Sequence, residues 1–217
     1  MKVKLDSFLP SFRKTEKPQI IPSDQPVDSG IQSEQLKLHE IIKKGLNDNE
    51  TIFKKALAET TSEELGRQDK TGSTALHLAV QWQETKTVDL LLEKMNPKQI
   101  TTVDFFGGTA MHWACFYANS EIFKILLNKM GPESLFTQNN IKKTSIEIIF
   151  LGAVSYDHRF KKISLDRLHE IIKRCSNEQL SHIGILVPDS IKKNKELLAD
   201  KDWKKLIDEF ERFAPIN

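Results

Sequence analysis

The stretch Asp69-Lys70-Thr71-Gly72-Ser73-Thr74-Ala75-Leu76-His77-Leu78-Ala79 returns 35 residues later as Asp104-Phe105-Phe106-Gly107-Gly108-Thr109-Ala110-Met111-His112-Trp113-Ala114. A weaker third copy, Asn139-Asn140-Ile141-Lys142-Lys143-Thr144-Ser145-Ile146, keeps the same spacing. The segments between copies repeat too. Lys94-Met95-Asn96-Pro97 matches Lys129-Met130-Gly131-Pro132, and Leu65, Ile100 and Leu135 hold equivalent positions. A fixed period of this size means one small structural unit, repeated and stacked.

Each unit reads as two helices. In the first copy the apolar residues are Leu76, Ala79 and Val80, then Val88, Leu91 and Leu92; in the second they are Met111, Ala114 and Cys115, then Phe123, Leu126 and Leu127. This i, i+3, i+4 spacing gives each helix one apolar face. A lone pair of short helices cannot cover both faces, so neighbouring units must stack.

The D-x-x-G-x-T-[A/P]-L-H-x-A string resembles the ankyrin repeat, strongly over residues 68–130 and fairly over 131–175. Ala75, Ala110 and Ser145 stand where that family usually has proline, and Gln83 and Ala118 where it usually has glycine between the helices. The period is 35 rather than the common 33. The expected fold is an all-α ankyrin-repeat solenoid with about three recognisable repeats and degenerate helix pairs capping both ends. The resemblance also implies that Thr74, His77, Thr109 and His112 are structural. Each histidine would tie its repeat to the next hairpin.

The register divides the chain into a proline-containing tail at residues 1–33 and a repeat domain at 34–217. The tail has Pro10, Pro18, Pro22 and Pro26 among polar residues, a composition that disfavours helix. Its Leu5–Leu9 stretch is a candidate docking motif. The domain is expected to hold an N-terminal cap (34–67), repeats at 68–102, 103–137 and 138–180, and a C-terminal cap (181–217). Leu38, Ile41 and Ile42, then Ile52, Phe53, Ala56 and Leu57, form the N-terminal pair. About ten residues are inserted around Val154–Ile163, read as a longer connection. A last pair is expected after Pro188, with Trp203, Leu206, Ile207, Phe210 and Phe213 on one face of its helix.

Composition sets bounds. With 39% hydrophobic and 29% charged residues the chain reads as a soluble globular protein, and its formal net charge of +2 gives no whole-molecule case for nucleic acid or membrane. The two cysteines, Cys115 and Cys175, make no zinc or disulfide pattern and are read as reduced thiols, Cys115 as a small core residue. No stretch is long and apolar enough to span a membrane. A cytoplasmic monomer is expected. No cofactor or metal is expected, because His77 and His112 lack a second ligand at i+4.

Ankyrin proteins usually bind through hairpin tips and the exposed face of the first helix. The resemblance carries these roles to Lys70, Thr71, Ser73, Gln81 and Trp82; to Phe105, Phe106, Gly108, Phe116 and Tyr117; and to Asn140, Ile141, Lys143 and Leu151. Five are aromatic, in a chain only 8% aromatic. A hairpin tip does not need phenylalanine to fold, whereas large rigid rings are what interface hot spots use. The expected function is non-enzymatic binding of a partner protein through a concave aromatic face, with Lys70, Asn140 and Lys143 as its polar rim. The alternative is a bacterial effector acting in a host cytosol, suggested by Lys- and Ile-rich helices, departures from consensus and the C-terminal Asp208–Phe213 segment. Enzyme and nucleic-acid roles are remote. No nucleophile–base set or phosphate loop emerges, and the Ser155–Lys162 texture of basic and aromatic residues also suits a solvated loop.

Overall fold

The computed structural model describes residues 37–45, 50–117, 119–153, 158–186 and 199–213, in two compact units, 1–105 and 106–217. The tail expected at 1–33, with its Leu5–Leu9 motif, lies outside the described residues, as does Ala118. Among the described residues there is no β-strand, only a bridge between Gln138 and Thr144.

The first unit comprises α1 (Lys37–Lys44), α2 (Glu50–Glu59), α3 (Ser62–Leu65), α4 (Ala75–Gln81), α5 (Thr85–Lys94) and α6 (Pro97–Ile100). Helix α1 packs on both α2 and α4, and α4 on α5. Ile42, Phe53, Ala79, Val88 and Leu91 are fully buried in its core. Each of these side chains except that of Ala79 contributes about 1.5–3 kcal/mol relative to exposure. The segments between repeats are short helical turns, and Leu65 and Ile100 are buried from them. Thr61 with Glu64, and Asn96 with Gln99, cap these turns reciprocally.

The second unit comprises α7 (Ala110–Phe116), α8 (Ser120–Met130), a 3-10 turn (Pro132–Leu135), α9 (Ser145–Ala153), α10 (His158–Ile172), α11 (Asn177–Leu186) and α12 (Lys201–Phe213). Helix α7 packs on α8 and α9, α9 on α10, and α11 on α12. Cys115 is a core residue here, and burial pushes its thiol up to about 12.

Two expectations are corrected. The inserted residues do not form one long loop. Residues 154–157 lie outside the described residues, and from His158 onward the insertion lengthens α10 at its N-terminus. The start of the C-terminal cap also falls elsewhere. Trp203, Leu206, Ile207 and Phe210 are buried on α12, which packs on α11, while the segment after Pro188 expected to open the last pair lies, at 187–198, outside the described residues. The boundary placed between residues 180 and 181 therefore cuts through a helix. Ser176 starts α11: its N–H donates to Gln179 Oε1 at 2.9 Å and its hydroxyl accepts from Gln179 N–H at 3.3 Å. This S-x-x-Q capping box marks a helix start that periodicity alone passes over.

Candidate protein-binding surface

Asx turns build the hairpins. Asp69 Oδ1 accepts from Thr71 N–H at 2.9 Å, Thr71 Oγ1–H at 2.6 Å and Ser73 N–H at 3.2 Å. Asn139 Oδ1 does the same for Ile141 N–H and Lys143 N–H. Burial works against the Asp69 carboxylate, but the Thr71 hydrogen bonds and the Lys43 ammonium at 3.2 Å outweigh it and hold its pKa below the ordinary value. The third turn residue has positive φ in every copy: Gly72 at 75°, Gly107 at 70° and Lys142 at 59°. At the first two, glycine also makes room. A Cβ on Gly72 would lie 2.6 Å from Phe105 N, and one on Gly107 would lie 2.7 Å from Asn140 N. Successive hairpins are joined there, by Phe105 N–H to Thr71 O at 3.2 Å and Asn140 N–H to Phe106 O at 2.9 Å.

Threonine and histidine then start the inner helices. Thr109 N–H donates to His112 Nδ1 at 3.1 Å, as Thr74 N–H does to His77 Nδ1 at 3.2 Å. With Nδ1 accepting, the hydrogen-bond network assigns the proton to Nε2, and His112 Nε2–H donates to Lys143 O in the next hairpin at 3.2 Å. In the third repeat Glu147 takes the histidine's place. Its carboxylate accepts from Thr144 N–H at 2.9 Å and pairs with Lys143 Nζ at 2.9 Å.

The sequence-derived binding residues separate on this frame. In the first unit Lys70 is exposed, Thr71 spends its hydroxyl on Asp69, and Gln81 and Trp82 are half-buried at the end of α4. Phe105 is 47% exposed and lies over Gly72. In the second unit Phe106 is 50% and Ile141 59% exposed, Asn140 is exposed, and Phe116, Tyr117, Lys143 and Leu151 are half-buried. Ser73 and Gly108 are buried rather than exposed, because both lie in the closing arm of their hairpins, where α4 and α7 begin.

The second unit gathers the rings. Trp113 stacks on Tyr117 with centroids 5.8 Å apart and meets Phe116 at 6.0 Å and Phe106 at 6.4 Å edge-on. Phe116 and Tyr117 touch at 5.2 Å. Edge and offset-stacked pairs at these distances are favourable arrangements. Burial raises the Tyr117 phenol to about 12, so it remains a hydroxyl.

Sequence reasoning missed Trp113, the centre of this cluster. The signal was present: Trp113, Phe116 and Tyr117 have i, i+3, i+4 spacing on one helix, and tryptophan stands where the preceding repeat has the buried Leu78. His39 was also missed. It lies on α1, buried, and Nε2–H donates to Ser73 O at 3.0 Å. Ser73 and Lys143 occupy the same place in their hairpins, so the cap makes the cross-repeat bond without the T-x-x-H motif. Among the described residues no three His, Cys, Asp or Glu side chains are grouped to hold a metal, and no helix is long and apolar enough to cross a membrane.

Residues 38–138 match the family model for ankyrin repeats, in three copies, so this segment consists of ankyrin repeats. Among solved structures it is similar to the ankyrin repeat domain of Bcl-3, described as a unique member of the IkappaB protein family. That match has a TM-score of 0.56 and 19% identity, and covers 83% of this chain and 72% of that one. No curated protein matches it.

Proposed function

We propose that the chain is a non-catalytic interaction module that binds a partner protein through its hairpin tips and the aromatic residues of its inner helices. Ankyrin repeats support interaction in general. The carrying observation is the cluster of Phe106, Trp113, Phe116 and Tyr117, whose outermost ring is half exposed. Phe106 is a hairpin-tip residue whose carbonyl serves the next hairpin. Any residue could supply that carbonyl, so folding does not account for the ring. A half-exposed phenylalanine has about 100 Å² left to bury, worth about 2–3 kcal/mol on a partner. Asn140, exposed in the same unit, would lie at the rim.

The test is affinity capture from cell lysate, comparing wild type with Phe106→Ser/Tyr117→Ala of verified melting temperature. A protein enriched by wild type and lost with the folded variant supports the reading. Equal enrichment by both removes these rings from the interface.

A further inference from the structure

Arg167 is 3% exposed, at the register position held by buried Thr87 in α5 and buried Ile122 in α8. A guanidinium replacing an aliphatic side chain in a core must be compensated by strong local interactions. No carboxylate among the described residues lies within ion-pair distance of it. Its fork instead donates to two consecutive carbonyls, Nη2–H to Ala114 O at 2.8 Å and Nη1–H to Cys115 O at 2.6 Å. Its central carbon sits 5.3 Å from the centroid of the Phe123 ring.

Both carbonyls belong to the last turn of α7. The end of a helix leaves its carbonyls without partners and concentrates partial negative charge there. A planar fork spans two adjacent carbonyls, where a lysine ammonium is a point donor. Arg167 is thus a C-terminal cap for α7, supplied by α10 from another repeat. The same turn carries Trp113 and Phe116 and leads into Tyr117.

We propose that Arg167 is the positioning residue of the aromatic cluster: by clamping the last turn of α7 it holds the Trp113–Tyr117 stack in one arrangement. A preorganised set of rings binds without first having to be ordered. The inference rests on reading the cluster as a binding surface, but its test needs no partner.

The test is fluorine NMR on the full chain labelled with 5-fluorotryptophan, its three signals assigned by Trp82→Phe, Trp113→Phe and Trp203→Phe. Arg167→Met removes the donors and keeps an unbranched stem; Arg167→Lys keeps the charge. In folded Arg167→Met the Trp113 signal should shift and broaden while those of Trp82 and Trp203 stay in place. The Tyr117 amide, bonded to Trp113 O at 2.8 Å, should exchange about tenfold faster, and Arg167→Lys should restore part of both. An unchanged Trp113 signal and Tyr117 amide in folded Arg167→Met overturns the assignment. So do three tryptophan signals that move together, or failure of both variants to fold, since each makes Arg167 a general folding determinant. A clamp that behaves as expected on a protein that captures no partner would leave this inference standing and sink only the interaction reading.

Discussion

Gly107 and Lys142 hold the same left-handed turn position in successive hairpins, yet opposite outcomes are expected on changing them. Gly107→Ala adds a strained φ, costing about 1–2 kcal/mol, and a Cβ 2.5 Å from Asn140 Oδ1. The urea midpoint should correspond to a loss of at least about 2 kcal/mol. Lys142→Gly relieves the strain at 59° and should gain about 0.5–1 kcal/mol after the entropy of the unfolded glycine is subtracted. The repeated Gly-x-Thr made the glycines legible; that Lys142 adopts the same conformation followed only from alignment. His39 was not legible, because it sits one helical turn before the position the repeat register assigns to histidine. Burial holds its pKa below the ordinary 6.5. The unfolded chain therefore takes up a proton that the folded chain refuses. The stability contribution is full above that range and falls away as pH drops through 6.5 toward the lowered value. His39→Gln should flatten the fall in melting temperature between about pH 7 and 5; an identical slope in the variant would refute this role.

At the level of the element, helices begin where a side chain three residues on answers the cap. Thr61 with Glu64, Asn96 with Gln99, Thr144 with Glu147 and Ser176 with Gln179 all follow one pattern, and Thr74 with His77 is its histidine form. These boxes were written in the sequence. Two of them open helices of only four residues, too short to show a 3.6-residue period, so a reading led by apolar spacing passed over them. The lengthened α10 was missed for a related reason: the stretch from 158 to 162 is polar enough to read as loop, and only its continuity with the buried Leu168 and Ile171 makes it helix. Two substitutions separate capping from joining. Glu147→Ala removes a cap and a part-exposed ion pair to Lys143 but no bond to another hairpin, and should cost about 1 kcal/mol. His112→Ala removes a cap and the bond to Lys143 O, and should cost about 2–3 kcal/mol. Equal losses by chemical denaturation would mean that the joining bond contributes nothing.

Over the whole chain, legibility followed the strength of the repeat. The middle could be aligned residue by residue, whereas the C-terminal helices lay outside the motif and the boundary before them was set inside α11. The candidate binding residues stood out as a class, because aromatics at hairpin tips are unusual. Which rings meet was not, since contact depends on side-chain direction rather than on spacing. A net charge of +2 bears on partner binding as well. If the rings carry the affinity, raising salt from about 0.05 to 0.3 M should weaken binding less than about threefold, because screening acts on exposed charges and not on apolar contact. A tenfold or steeper loss by titration calorimetry would place the affinity in charge instead.

Glu147 caps its helix as well as histidine does, but it has no ring nitrogen to extend toward another hairpin. In the vocabulary of polymers, histidine at this position is a propagating group and glutamate a terminating one. Whether a repeat built on this motif hands a bond forward thereby turns on a single side chain. A designer wishing to splice a further unit behind the third repeat would have to begin with Glu147→His.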